Sequence, residues 1–136
     1  MENSKFQFKG FSVVRSLIER KQSNPKSKLI VEFKPKGTLN IENLSFKLEL
    51  GIQISDEDKN INIEVDSIAD YSFEKNVDFG SLDNFFYVNA PALLFPYLRA
   101  YISTLTNLSG NATITLPTLN LTSIGEELKK NTVTLK

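Results

Sequence analysis

The sequence predicts an α+β domain in which strands come first, helices follow, and one helical layer packs on one face of the sheet. Three observations carry this. Residues 44–54 alternate apolar and polar without a break, placing Leu44, Phe46, Leu48, Leu50, Ile52 and Ile54 on one face. Further on, Leu94, Leu98, Tyr101, Leu105 and Leu108 step by four, three, four and three residues, the period of a helix with one apolar side. Strand-like segments fill the chain from about residue 5 to 74, and the helical ones lie beyond.

The first strand is ambiguous by period alone. Phe6 and Phe8 alternate, whereas Phe11, Val14, Leu17 and Ile18 are spaced as on a helix. The weight of β-branched and aromatic residues decides for a strand over 5–20. Residues 23–27, Ser-Asn-Pro-Lys-Ser, form a loop by composition. Residues 28–33 make a short strand ended by Pro35, whose missing N–H favours an edge or terminal position. The alternating strand 44–54 pairs as a hairpin with one that starts at Ile61, through the polar turn 56–60. Beyond Val65 the phase slips on the way to Ile68, Tyr71 and Phe73, which predicts a bulge or bend.

Residues 79–90 form an aromatic entry segment, with Phe79, Phe85, Phe86 and Tyr87 set among turn-forming Gly80, Ser81, Asp83 and Asn84. The long helix is predicted over 92–108, with Pro96 in its first turn and Gly110 just past its end. An extended connector, 112–121, straddles Pro117. A short helix over 122–130 is capped by Thr122 or Ser123, with Glu126 and Glu127 early and Lys129 and Lys130 late, as the helix dipole prefers. The tail beyond Asn131 is expected to be loose.

Composition works mainly by exclusion. At 136 residues the chain fits one domain with a real core. It has neither cysteine nor histidine, which removes disulfides, thiol catalysis, zinc–thiolate sites, His-based acid–base chemistry and most transition-metal sites. Sixteen basic residues balance sixteen acidic ones, so no global field draws nucleic acid or an anionic membrane. The opening residues lack the apolar core of a secretory signal, and no apolar run spans a bilayer, so a cytoplasmic location without membrane insertion is expected. The Asn-X-Ser/Thr triplets at Asn43, Asn107, Asn111 and Asn120 accordingly read as chance. Asp56-Glu57-Asp58 lacks the glycine and distal glutamate of a calcium loop, and the six glycines form no phosphate cradle. No catalytic set, metal site or cofactor is predicted; the chain reads as a non-enzyme. The aromatic segment leaves two readings open: rings that anchor the core, or walls of a groove for apolar polypeptide.

The segment from Phe85 to Leu121 resembles the SecB family of export chaperones. Pro91, then Leu94-Phe95-Pro96-Tyr97 and Arg99, then Ile102 and Leu105, match the opening of that family's long helix. Leu116-Pro117-Thr118-Leu119-Asn120-Leu121 looks like its proline and leucine connector, and Glu64-Val65 followed by Tyr71-Ser72-Phe73 looks like its last strand. The resemblance implies a four-stranded antiparallel sheet with a long and a short helix on one face. It implies a cofactor-free, ATP-independent holdase that keeps unfolded preproteins translocation-competent and hands them to the SecA motor. It also implies a homo-oligomer, a dimer of dimers with the long helices at its centre. The residues expected to carry these roles are Phe85, Phe86, Tyr87, Leu93 and Phe95 as groove wall, Leu98, Tyr101 and Leu105 at the oligomer interface, and Glu64 on the SecA-facing surface.

Two departures bear on SecA. The chain is neutral where the family is strongly acidic, with Asn62 at a usually apolar position and a mixed set of Arg15, Glu19, Arg20 and Lys21 on the N-terminal strand; its C-terminal tail is short and poorly acidic. SecB-like proteins dedicated to an antitoxin share the fold and the helix box and tolerate losing that surface, which makes such a role the first alternative. From other classes, a module for a small apolar ligand remains, and a hydrolase using carboxylates is weaker still.

Overall fold

The computed structural model describes residues 6–21, 28–79, 84–110, 112–117 and 119–135, except for the side chains of Asn84 and Phe85. Four strands come first, β1 (Phe6–Arg20), β2 (Leu29–Asn40), β3 (Ser45–Asp56) and β4 (Ile61–Phe73). Helices α1 (Asn84–Leu108) and α2 (Leu121–Lys130) follow, and a short strand, β5 (Thr132–Leu135), closes the chain. The sheet order is β1-β4-β3-β2-β5. The first four strands pair antiparallel, and β5 runs parallel to β2. The predicted four-stranded antiparallel sheet is therefore a mixed five-stranded one, and the tail expected to be loose is its fifth strand. Its residues Thr132-Val133-Thr134 suit a strand, and α2 hands them over within one residue, because the Asn131 carbonyl accepts the Gly37 N–H at 3.2 Å.

Period-two patterning explains the central strands. Phe46, Leu48, Leu50, Ile52 and Ile54 of β3 and Ile61, Ile63, Val65, Ala69, Tyr71 and Phe73 of β4 are all buried. The expected slip after Val65 does not occur, since β3 and β4 stay in register from Ser45↔Ser72 to Ser55↔Asn62. Ser67 and Ala69 hold the inward phase with small side chains, and Ile68 points outward. The irregularities lie in β1 instead, between Phe8 and Gly10 and between Val13 and Arg15. Each inserts one residue and shifts the phase, which is why β1 mimics a helical spacing. Gly10 meets the first with φ +137°, a conformation that side chains disfavour. At the β3–β4 turn Asp56 is buried, and its Oδ1 accepts the Asn60 and Ile61 N–H groups at 2.8 and 3.3 Å.

Helix α1 begins at Asn84, eight residues before the predicted start at 92, and absorbs most of the aromatic segment. Both Pro91 and Pro96 lie inside it. Packing offsets the donors they remove: Phe86, Ala90, Leu94, Leu98 and Ile102 form an i, i+4 row, all buried against the sheet. Beside Pro91, the Tyr71 hydroxyl donates to the Ala90 carbonyl. At 25 residues the helix spans about 37 Å. Past Gly110 the connector folds back onto it: Ile114 N–H donates to Thr106 Oγ1 at 2.9 Å, and Ser103 Oγ donates to the Ile114 carbonyl at 3.2 Å. Ile114 and Leu116 are buried there. Helix α2 starts one residue earlier than predicted, and its cap is Asn120, whose side chain accepts the Ser123 N–H at 3.1 Å. Asn has the short acceptor of a cap in the same way as the predicted Thr122 or Ser123.

Candidate functional site

The aromatic residues expected in a groove wall divide into separate environments. Phe86 and Tyr87 retain only 3% and 7% of their surface. The Phe86 ring stands 5.0 Å from those of Phe6 and Phe46 and 5.1 Å from that of Phe73, and Tyr87 lies 6.3 Å from Phe46. Both rings are thus spent inside the monomer, because the helix that carries them starts early enough to turn them towards the sheet. Burial pushes the Tyr87 and Tyr71 hydroxyls towards higher pKa, keeping both neutral. The Phe85 side chain lies outside the described residues.

Leu93 and Phe95 are more open. Leu93 is 44% exposed and Phe95 half-buried. Two positions apart, they project about 200° from each other around the helix. They belong to different surfaces. Leu93 shares the outward side of α1 with Tyr97, Ala100, Thr104 and Leu108, all exposed. Phe95 turns towards β2, its ring edge-on to Phe33 at 6.4 Å.

That second surface is the candidate site. Leu29, Val31 and Phe33 occupy alternate positions of β2 and share the helix-covered side of the sheet, all three half-buried. Sequence reasoning saw them as a strand but not as a surface, since it ended the strand before Pro35. In the structure β2 continues through Pro35, which pairs with Leu50 and is buried. The proline is tolerated because its missing N–H faces the outer edge, where Asn131 Nδ2 donates to its carbonyl at 3.2 Å. A cleft of about 460 Å³ opens on that edge, lined by residues 34–36 and by Glu127 and residues 130–133.

The residues expected at an oligomer interface also separate. Leu98 is fully buried under the sheet, so it is a core residue of the monomer. Tyr101 and Leu105 are half-buried, and the Tyr101 hydroxyl lies 2.5 Å from Ser16 Oγ of β1.

On the opposite face of the sheet, Glu64 sits in a polar chain that crosses all four antiparallel strands. Arg15 Nη1 contacts Glu64 Oε1 at 3.1 Å and Asp66 Oδ2 at 3.4 Å. Asn62 Nδ2 donates to Glu64 Oε2 at 2.9 Å, Gln53 Nε2 to Asn62 Oδ1 at 3.3 Å, and Lys34 Nζ to Gln53 Oε1 at 3.4 Å. The Asn62 hydrogen bond first, then that from Arg15, holds the Glu64 carboxyl below the usual carboxylate range, and the same pairing raises Arg15. The charge of Glu64 is therefore answered within the chain. Among the described residues no group of three acidic, His or Cys side chains is placed to hold a metal ion, and no helix is long and apolar enough to cross a membrane.

The family model described as SecB, preprotein translocase subunit SecB, matches residues 9–131. No curated protein matches the chain. Among solved structures, the chain is similar to a SecB-like chaperone of Mycobacterium tuberculosis, solved in complex with a ChAD peptide from the HigA1 antitoxin. The two share 17% identity at a TM-score of 0.67, covering 85% of this chain and 88% of that one. A protein of unknown function from Streptococcus agalactiae matches at 12% identity and a TM-score of 0.48, over 83% of this chain and 97% of its own.

Proposed function

The chain belongs to the SecB family, and on that premise we propose that it is a cytoplasmic, ATP-independent holdase for unfolded polypeptide, acting without a cofactor. The observation that carries the reading is the half-buried strip of Leu29, Val31, Phe33 and Phe95 on the helix-covered side of β2. Such a strip offers many weak apolar contacts with little demand on side-chain identity, which holds an extended client reversibly. The groove wall is then Phe95 with these three β2 residues, and the outward row of α1 that includes Leu93 is the oligomer surface, flanked by Tyr101 and Leu105. The assembly we propose is a dimer of dimers.

A SecB-like chaperone dedicated to one antitoxin of a toxin–antitoxin system is the second reading, and the outer face favours it. Arg15 pairs with both Glu64 and Asp66, cutting the charge of the pair to one net negative where a SecA-docking surface would present free acid. The Mycobacterium chaperone of the same fold was solved with an antitoxin peptide. Preprotein export through SecA is the reading this weakens.

One experiment separates the readings. Several unrelated proteins are diluted from denaturant, and their aggregation is followed by light scattering with the protein or its Phe33→Asp variant, without ATP. The general holdase suppresses aggregation of all of them, and the variant loses about tenfold in potency, ~1.4 kcal/mol. Protection of an antitoxin alone selects the second reading. Protection of nothing overturns both.

A further inference from the structure

Strand β5 occupies part of the same edge that borders the client strip. Gly37 N–H donates to the Asn131 carbonyl at 3.2 Å and Ile41 N–H to the Leu135 carbonyl at 3.1 Å. Odd-numbered residues of β2 therefore turn their backbone groups away from β3, towards the outer edge. Pro35 fits this row, with no N–H and its carbonyl taken by Asn131. Phe33, Val31 and Leu29 continue the row, and among the described residues β2 pairs there only with β3, β5 reaching no further than Gly37. Their outward backbone groups and their half-buried side chains thus serve one surface.

The cleft at residues 34–36 and 130–133 opens where the occupied half of the edge meets the open half. Two features make β5 well registered but lightly held. A Cβ at Gly37 would stand 2.5 Å from the Phe46 ring and 2.6 Å from Thr132 Oγ1, so the bare backbone of Gly37 makes room for the core ring and for the first side chain of β5 together. Yet β5 is four residues long, pairs in the weaker parallel sense, and leaves Val133 and Leu135 54% and 47% exposed.

We propose that β5 is a displaceable strand of the chain itself, which sets how much of the β2 edge an extended client can pair with. A short client strand adds beside Leu29, Val31 and Phe33 and stops at Asn131. A longer one has to displace β5 and then gains the backbone groups of Gly37 and Leu39. Strand addition of this kind takes its affinity from the main chain and is tolerant of sequence. The proposal rests on the client-binding reading above.

Thr38 and Val133 are neighbours in the β2–β5 register, and the chain has no cysteine, so Thr38→Cys with Val133→Cys gives a reversible lock on β5. Two fluorescent peptides of alternating apolar and polar residues, about 6 and about 14 residues long, match half and more than all of the edge at ~3.3 Å per residue. Affinities are read by anisotropy. Oxidation is expected to weaken the long peptide about tenfold and leave the short one unchanged, and reduction to restore both. Ending the chain after Asn131 is expected to strengthen the long peptide alone. Equal affinity for the long peptide in both redox states, with no gain on truncation, overturns the role of β5 while leaving client binding intact. If neither peptide binds the unmodified chain, the client-binding reading itself fails.

Discussion

The Glu64 carboxylate accepts hydrogen bonds from Asn62 and Arg15, and both favour its charged form. A carboxyl whose folded pKa lies below its unfolded value adds stability that is present above the unfolded pKa and lost as the pH falls through the folded one. For Glu64 that window opens near the ordinary value of 4.5 and extends downwards. Replacing Glu64→Gln keeps the shape and removes the charge. The variant is expected to unfold at slightly lower urea concentration than the parent at pH 7, and the gap to close as both are titrated down through that window until the carboxyl is protonated. A gap that stays constant with pH assigns the interaction to shape and not to charge. The same residue illustrates a limit of sequence reading. Its place on the outer face follows from alternation, but its partner Arg15 stands 49 positions away and meets it only after the phase shift between Val13 and Arg15.

At the scale of elements, legibility tracks how local the causes are. β3 could be read outright, because every second residue from Phe46 to Ile54 is large and apolar. β4 misled at Ser67 and Ala69, where small residues hold the phase that large ones hold elsewhere. Pro91 concealed the first eight residues of α1, since it is the packing of the row from Phe86 to Ile102 against the sheet that offsets the backbone bonds the two prolines remove. The site suffered most from that error: the side on which Phe86 and Tyr87 lie depends on where the helix begins. Leu29, Val31 and Phe33 were legible as strand, but their openness depends on how far β5 reaches, and β5 is too short to announce itself. Where α2 crosses α1 the cause is a single missing side chain. A Cβ at Gly125 would stand 2.9 Å from Val88 Cγ2 and 3.1 Å from the Tyr87 carbonyl oxygen, which is backbone and cannot swing aside. Gly125→Ala is accordingly expected to destabilise the fold by about 1–3 kcal/mol despite its better helix propensity, seen as a lowered thermal midpoint. A raised midpoint means that the two helices separate without cost.

Among the described residues of the whole molecule, α1 buries one side against the sheet and carries a row of exposed, largely apolar side chains on the other. Along α1, Leu93, Tyr97 and Leu108 are 44%, 50% and 80% exposed, with Ala100 and Thr104 in the same row. The oligomer surface proposed above rests on this row, since exposed apolar side chains in such a line are ones a second chain would cover, and the small side chains at its middle would let two helices approach closely. The charge balance of sixteen against sixteen sets up no net repulsion to oppose such an encounter. Ala100→Arg puts a long charged side chain at the centre of the row without touching the monomer core, since Ala100 is exposed. The variant is expected to keep the parent's circular dichroism and unfolding midpoint while its mass by light scattering drops to a smaller assembly. Because a closed assembly repeats the same contact by symmetry, one substitution is present at every copy of the interface and its cost is multiplied. The client strip lies on the β2 side of the sheet, away from this row, so the smaller species is expected to bind a short client peptide with the parent's affinity per chain. An unchanged mass would show that the row is not the surface through which the chains associate.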